Sequence, residues 1–339
     1  MPLRQPWVSA SGGFSVREGR LIRLETDAGL TGYGDCAPLP QAGTENLESA
    51  DSRLAGWAEE LSGMSLEAAL GRLDAATVGT PAARCGFETA LLDLLAQQAG
   101  LSLARWLNPG SLSVVKVNAM IGRFDRQTTT RALAAAKAGF SVLKLKVGMA
   151  SPKEEIALLR DLAGCLPPEI SLRLDANCAW DRRGADEFLG ALSGLPVESV
   201  EDPLANPDAS GLSRLQATVP FPLAADESLL KIGEDALIDH LPVRRIILKP
   251  MVLGGLRPAL SLARRAQGSG LECVVTTTVD SAAGTLATLH LAAAVANDLA
   301  HGLPTSAWLA SDLGVPPQPV EGRMQLGKEP GLGFTLLQY

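Results

Sequence analysis

The sequence predicts an α/β protein built as a (β/α)7β TIM-like barrel, with an N-terminal α+β cap that the C-terminal tail completes. Three observations predict it. From Ser113 onward, short apolar runs alternate with helical stretches, a pattern that calls for parallel strands joined by crossover helices. Eight such runs with seven helices between them suit a closed barrel rather than an open sheet. The first 110 residues and everything after Gly302 lack this alternation. The expected division is therefore a cap over 1–110, a barrel over 111–302 and a closing segment over 303–339 that packs on the cap.

The cap begins with two strands, 19–26 and 30–36, joined through Asp27-Ala28-Gly29, a turn signal. Residues 37–43 form a loop. Helices follow over 44–61, 65–76 and 81–99. The last carries Pro81 in its first turn, Gly100 at its end, and Phe87, Leu91, Leu94 and Leu95 at helical spacing. Barrel strands are expected at 114–118, 142–147, 171–175, 199–201, 223–226, 245–249, 272–276 and 299–301. Helices are expected at 126–138, 152–163, 185–192, 211–217, 233–239, 256–267 and 282–296. The tail breaks the pattern with Pro304, Pro316, Pro317, Pro319 and Pro330.

Composition narrows the function. The chain has 339 residues, 46% of them hydrophobic, enough for a large core. A net charge of -7 with no Lys/Arg run leaves no nucleic-acid footprint. No apolar stretch approaches the ~20 residues that span a bilayer. The N-terminus shows no signal-peptide pattern. Five cysteines, odd in number and without Cys-x-x-Cys spacing, read as reduced thiols. The expectation is a cytoplasmic protein acting on a small molecule, with no nucleic-acid or membrane partner.

The strand over 142–147 carries the most unusual chemistry. Side chains alternate along a strand, so Lys144 and Lys146 share one face. If that face is buried, like charge and desolvation both disfavour the ammonium forms and prepare an amine to act as a base. An edge strand with a solvated charged face is the alternative.

Barrel sites form at the carboxyl ends of the strands. Lys146, Asp175, Glu201, Asp226 and Lys249 fall there on five successive strands, 23 to 29 residues apart. Each spacing is about one βα unit, so the five should converge. Three carboxylates without Cys or paired His make a hard oxygen site suited to Mg²⁺ and poor for Zn²⁺. Taken singly, each acid also reads as a helix cap or loop residue. Asn177, two residues past Asp175, can orient a ligand or a metal-bound water, or simply start the next loop. Arg173 faces inward and either pairs with the acids below the metal or forms a structural ion pair with no catalytic role; Glu227, next to Asp226, is placed around the ion.

Taken together, Lys-x-Lys at 144–146, Asp-Ala-Asn at 175–177, Glu-Asp-Pro at 201–203, Asp-Glu-Ser at 226–228 and Lys249-Pro250 with Gly254-Gly255 resemble the enolase superfamily, muconate-cycloisomerase subgroup. Gly32 to Pro40, the loop Thr277-Thr278-Val279-Asp280-Ser281 and Ala300-His301-Gly302-Leu303 are most similar to the o-succinylbenzoate synthases within it. Departures are Asp280 and Asp35, where that family more often has Glu, and threonines at 277–278 in place of serines.

The resemblance implies abstraction of a proton α to a carboxylate to give an enediolate. Asp175, Glu201 and Asp226 would hold the metal, and Lys146 would be the base. Lys249 would stay cationic and stabilise the intermediate, and Lys144 would tune Lys146. Ser281 and backbone groups near Asp280 and Gly302 would hold a succinyl carboxylate. The glycine-bearing loops 9–15 and 40–43 read either as covers that close over the mouth or as plain surface loops. The histidine base of another branch is missing, since Thr276-Thr277-Thr278 stand at its place; His240, His290 and His301 read as structural. Racemisation of N-succinylamino acids, dipeptide epimerisation and muconate cycloisomerisation use the same groups. A Schiff-base aldolase is the alternative of another class.

Overall fold

The computed structural model describes residues 1–9, 12–75 and 79–337. The cap opens with an antiparallel hairpin, β1 (Pro2–Ser9) and β2 (Gly12–Val16), which pairs Trp7 with Phe14. The sequence reading places only a loop here; Ala10 and Ser11 of that loop lie outside the described residues. A second hairpin follows, β3 (Arg20–Glu25) and β4 (Thr31–Cys36). Helices α1 (Leu47–Leu61), α2 (Leu66–Ala75), α3 (Pro81–Gln98) and the short α4 (Leu103–Leu107) complete it. The expected end of the second helix, Ala76, is also outside the described residues.

Helix α3 is the central strut of the cap and is buried all round from Pro81 to Ala96. Its charges are therefore paired. Arg84 reaches Asp74 at 2.9 Å, and Asp93 accepts from Tyr33 N, Leu332 N and Gln97 Nε2 at 2.8–2.9 Å. The bond from Leu332 draws the tail onto the cap, and Phe334 lies edge-on to Tyr33 at 5.1 Å.

Strand β5 (Val114–Lys116) corrects the expected first barrel strand. It pairs antiparallel with β13 (Arg323–Gln325) of the tail. The barrel begins instead at β6 (Ala119–Arg123). Then come α5 (Thr128–Lys137), β7 (Val142–Lys146), α6 (Pro152–Cys165), β8 (Ser171–Asp175), α7 (Arg182–Gly190) and β9 (Val197–Glu201). They are followed by α8 (Ala209–Gln216), β10 (Leu223–Ala225), α9 (Glu227–Ile232), α10 (Glu234–His240) and β11 (Arg245–Leu248). The round ends with α11 (Pro250–Leu253), α12 (Leu256–Gly268), β12 (Glu272–Val275) and α13 (Ala282–Val295).

Strands β6 to β12 form one parallel sheet in sequence order. The expected eighth strand is reduced to a closing segment. Val117 bridges to His301 and Thr276 to Gly302, both parallel. His301 N donates to Lys116 O and Gly302 N to Val275 O, each at 2.9 Å, so the segment joins the two sheet edges. Below the mouth, the barrel holds buried charges that satisfy one another. Arg173 donates to Glu198 at 3.1 and 3.2 Å, and Arg245 pairs with Glu198 and Glu272, both at 2.6 Å.

Candidate active site

The register brings the strand ends together. Lys146 stands opposite Asp175 across β7 and β8, and Asp175 opposite Glu201 across β8 and β9. Asp226 lies one residue past β10, and Lys249 one past β11. Carboxylate oxygens of Asp175, Glu201 and Asp226 all lie within 4.8 Å of one another. Strands β7 and β11 are four places apart in a ring of eight, so Lys146 and Lys249 approach from opposite sides.

The amines are paired with these acids. Lys146 Nζ donates to Asp175 Oδ2 at 2.7 Å and to Asn177 Oδ1 at 2.6 Å. Lys144 Nζ lies 2.8 Å from Asp175 Oδ2 and also donates to Glu201 Oε2. Lys249 Nζ sits 2.7 Å from Asp226 and 3.7 Å from Glu227. Asn177 Nδ2 donates to Glu227 Oε1 at 3.2 Å, and Arg173 Nε is 3.9 Å from Glu201 Oε1.

Electrostatics follow from burial and these partners. Burial raises the Asp175 carboxyl, but Lys144 and Lys146 overcome it and hold Asp175 well below the usual carboxylate range. Burial pushes Glu201 up, with Lys144 opposing and the Asp175 charge adding. Burial and then Glu227 drive Asp226 up to about 7, against Lys249. Glu227 goes the other way, to about 2, because Lys249 and the contact with Asp202 together overcome its burial. Burial lowers the Lys144 ammonium, yet Asp175 and Glu201 more than reverse it. The like-charge depression expected at this lysine pair is therefore not found at Lys144, because the acids outnumber the neighbouring amine. Lys249 is likewise held above its ordinary value, by Asp226 and Glu227 against burial.

The three acids fit a divalent cation of the Mg²⁺ type. Their donors are all oxygen, they converge, and Glu201 Oε1 is buried without a hydrogen-bond partner.

The remaining walls include Trp7, Leu39, Asn118 and Met120, which the sequence did not reveal. Phe14 from the expected segment 9–15, Gln41 and Ala42 from the expected loop 40–43, and Thr276 to Val279, Gly302, Pro304 and Thr305 line the pocket with them. Trp7 stacks near Phe14 at 6.2 Å and Trp308 at 4.1 Å, with Lys146 Nζ 5.8 Å from its ring centre. Arg17 ties three of these walls together. Its guanidinium donates to Val279 O at 3.1 Å, to Pro38 O at 2.8 Å and to Ala37 O.

Two expected substrate contacts are placed elsewhere. Ser281 caps α13 and gives its N–H and hydroxyl to Asp35, at 2.9 and 2.8 Å. Asp280 accepts from Thr278 N at 3.1 Å and from the Thr278 hydroxyl. Neither lines the pocket; Gly302 does. His301 accepts from Val275 N at 2.9 Å and is neutral, burial and the two arginines Arg173 and Arg245 lowering it to about 3. His290 accepts from Ala104 N at 3.0 Å and does not line the pocket.

Two family descriptions match. The mandelate racemase/muconate lactonizing enzyme N-terminal domain covers residues 1–107, and the enolase C-terminal domain-like family covers 127–339. The chain belongs to the enolase superfamily. Among superfamily relatives, a hydrophobic dipeptide epimerase of Enterococcus faecalis is 29% identical over 352 residues, spanning 98% of this chain and 96% of that protein. An o-succinylbenzoate synthase of Thermosynechococcus vestitus is 33% identical over 240 residues, 69% of this chain and 67% of that one. A solved dipeptide epimerase from E. faecalis, in complex with Mg and L-Leu-L-Tyr, is 27% identical and superposes with a TM-score of 0.90 over 98% of this chain and 96% of that one. These members of the superfamily are similar in fold but carry out different reactions. The pocket must discriminate between them.

Proposed function

We propose that this chain is a Mg²⁺-dependent carbon–oxygen lyase, an o-succinylbenzoate synthase. It would dehydrate 2-succinyl-6-hydroxy-2,4-cyclohexadiene-1-carboxylate for menaquinone or phylloquinone synthesis. The division of labour is a barrel over 111–302 that does the chemistry, and a cap over 1–110 closed by 303–339 that selects the substrate.

One observation carries the reading: the charge balance of the pocket lining. Lys144, Lys146, Arg173 and Lys249 face Asp175, Glu201, Asp226 and Glu227, four cations against four anions. With Lys146 neutral to act as the base, a bound divalent ion still leaves the lining with a net positive charge, which suits an anionic carboxylate substrate. The other lining residues are uncharged. Every lining acid lies within ion-pair distance of a lysine. A free dipeptide brings an α-ammonium group, and burying it needs an uncommitted acid. Among the described lining residues every acid already faces a lysine, although Glu227 Oε2 is buried without a hydrogen-bond partner.

Asp175, Glu201 and Asp226 would hold the ion, which supplies fixed positive charge beside the substrate carboxylate as the enediolate develops. Lys146 in its neutral form takes the α proton, held in line by Asn177. Lys249, kept cationic by Asp226 and Glu227, faces the opposite side of the intermediate. The C–O bond at the β carbon then breaks, the electron pair leaves with hydroxide, and the Lys146 ammonium returns its proton to give water. Arg17 holds the covering loops over the site, so that bulk water stays out.

The facing placement of Lys146 and Lys249 also favours a second reading, racemisation of N-succinylamino acids, in which each amine serves one face. The test is a parallel assay of the cyclohexadiene carboxylate, N-succinylamino acids and free dipeptides, with Mg²⁺ and with chelator. The proposed activity predicts turnover of the first, weaker turnover of the second and none of the third. No dehydration with Mg²⁺ present would reject it. Loss of activity on chelation, with no adduct after borohydride and ketone, excludes the Schiff-base aldolase.

A further inference from the structure

We propose that Asp202 is a positioning residue that sets the metal ligand Asp226 and locks it to Glu201; this rests on reading the acidic triad as a divalent-metal site. Asp202 follows Glu201 directly but does not line the pocket, and it is 1% exposed. Its backbone is left-handed, at φ 43°, a conformation that Asp and Asn adopt more readily than most residues. The turn it makes sends the side chain sideways, under the neighbouring strand end.

There the carboxylate accepts from one segment only. Oδ1 takes Asp226 N at 3.2 Å, Ser228 N at 3.3 Å and the Ser228 hydroxyl; Oδ2 takes Glu227 N and shares Ser228 N. Three successive N–H groups and one hydroxyl thus converge on a single buried acid. The main chain of Asp202 joins the strand ends on both sides. Its N–H donates to Ala224 O at 3.0 Å, and its carbonyl accepts from Cys178 N at 2.8 Å. Asp226 itself has φ -110° and ψ -89°, neither helical nor extended. Backbone in such a region persists only where its surroundings hold it. Asp202 supplies that hold, so the angle at which Asp226 points at Asp175 and Glu201 depends on a residue that touches neither ion nor substrate.

A plain helix cap would bond in a similar way but would affect only stability, by about 0.5–2 kcal/mol. The two roles separate in the affinity for Mn²⁺, measured by electron paramagnetic resonance or calorimetry on the purified chain without substrate. Asp202→Ala is expected to weaken Mn²⁺ binding about 10–100-fold. Asp202→Asn and Ser228→Ala, each keeping part of the network, should fall between it and wild type; they carry the test if the alanine variant does not fold. The control is Asp208→Ala, which removes the cap bond from Gly211 N at 2.8 Å on α8. It should lose thermal stability yet keep the wild-type Mn²⁺ affinity. Wild-type affinity in all three variants that disturb the Asp202 network would overturn the proposal while leaving the metal site intact. A wild-type chain that binds no Mn²⁺ overturns the metal-site reading itself, and this inference with it.

Discussion

Asp35 of the cap accepts both the backbone N–H and the hydroxyl of Ser281 in the barrel, at 2.9 and 2.8 Å. The contact joins the end of β4 to the start of α13, 246 residues away. It is fully enclosed, and a Cβ on Gly284 would come within 2.6 Å of Asp35 Oδ2. Burial, and then the nearby Asp280, push the Asp35 carboxyl from 3.8 up to about 6, against Ser281 and Arg17.

The raised value makes the domain contact pH-dependent. The folded state keeps a proton that the unfolded chain releases near its ordinary value of 3.8. The contribution to stability is therefore full below that value and is lost as pH rises through about 6. Asp35→Asn, which does not titrate, isolates the effect. In urea denaturation from pH 4 to 7, wild type should lose about 2 kcal/mol relative to the variant. Parallel curves for the two proteins would show that Asp35 is not shifted in this way.

The balanced lining charges predict how the chain behaves without its ion. Four amines and guanidinium groups already neutralise the four acids, so chelation should stop catalysis while circular dichroism stays native. Adding Mg²⁺ at 100 times its dissociation constant should then stabilise the fold by about 2.7 kcal/mol. Asp226→Asn should remove most of that gain, visible as a lost shift in melting temperature. A chelated wild type that unfolds would contradict this account.

The two lysines should separate by role. Lys146→Ala removes the proposed base and is expected to lower kcat by about 10²–10⁴-fold or more for any substrate of the site. Lys249→Ala removes charge from one side in a dehydration but a second base in a racemisation. Deuterium uptake from heavy water decides between them. Under the synthase reading, Lys249→Ala slows turnover and leaves exchange on the Lys146 face detectable. If N-succinylamino acids are racemised, the variant should exchange the α proton of one enantiomer only. Equal exchange from both enantiomers in Lys249→Ala would remove that lysine from the second-base role.

How much of this was legible in the sequence depended on whether the signal was local. Barrel alternation is a repeated local pattern, and Lys146, Asp175, Glu201, Asp226 and Lys249 each end one unit of it, so the triad and its amines could be read directly. The register of β7, β8 and β9 then places them side by side. Several of the errors were long-range. Val114 to Lys116 is a strand, as its apolar residues suggest, but its partner is Arg323–Gln325 in the tail. Ser281 stands beside the pocket in sequence, yet Asp35 claims both its donors. Trp7 sits near the start of the chain and reaches the site only because the hairpin folds back over Lys146. Arg17 works through three carbonyl groups, which no side-chain pattern encodes.

Gly34 shows a constraint that the motif Gly32-Tyr33-Gly34 carried without revealing its cause. Strand β4 lies so close to α3 that a Cβ on Gly34 would stand 1.9 Å from Gly86 O, and one on Gly32 would stand 2.3 Å from Ala90 O. Neither glycine has a positive φ, so the requirement is space rather than backbone freedom. The strand cannot easily retreat, because β3 pairs with it from Arg20–Cys36 through to Glu25–Thr31. Helix α3 cannot retreat either. It also holds the junction of α11 and α12, where Arg84 donates to Gly254 O and Glu88 accepts from Arg257 N at 3.2 Å. Gly34→Ala should therefore cost at least the upper end of ordinary overpacking, about 3 kcal/mol, and should displace the neighbouring Asp35 from Ser281. Gly56→Ala on α1, where nothing lies within 4 Å, should instead gain about 0.5–1 kcal/mol. Urea midpoints for the two variants test this directly: a Gly34→Ala protein as stable as wild type would mean that the cap sheet and α3 are not in the close contact described.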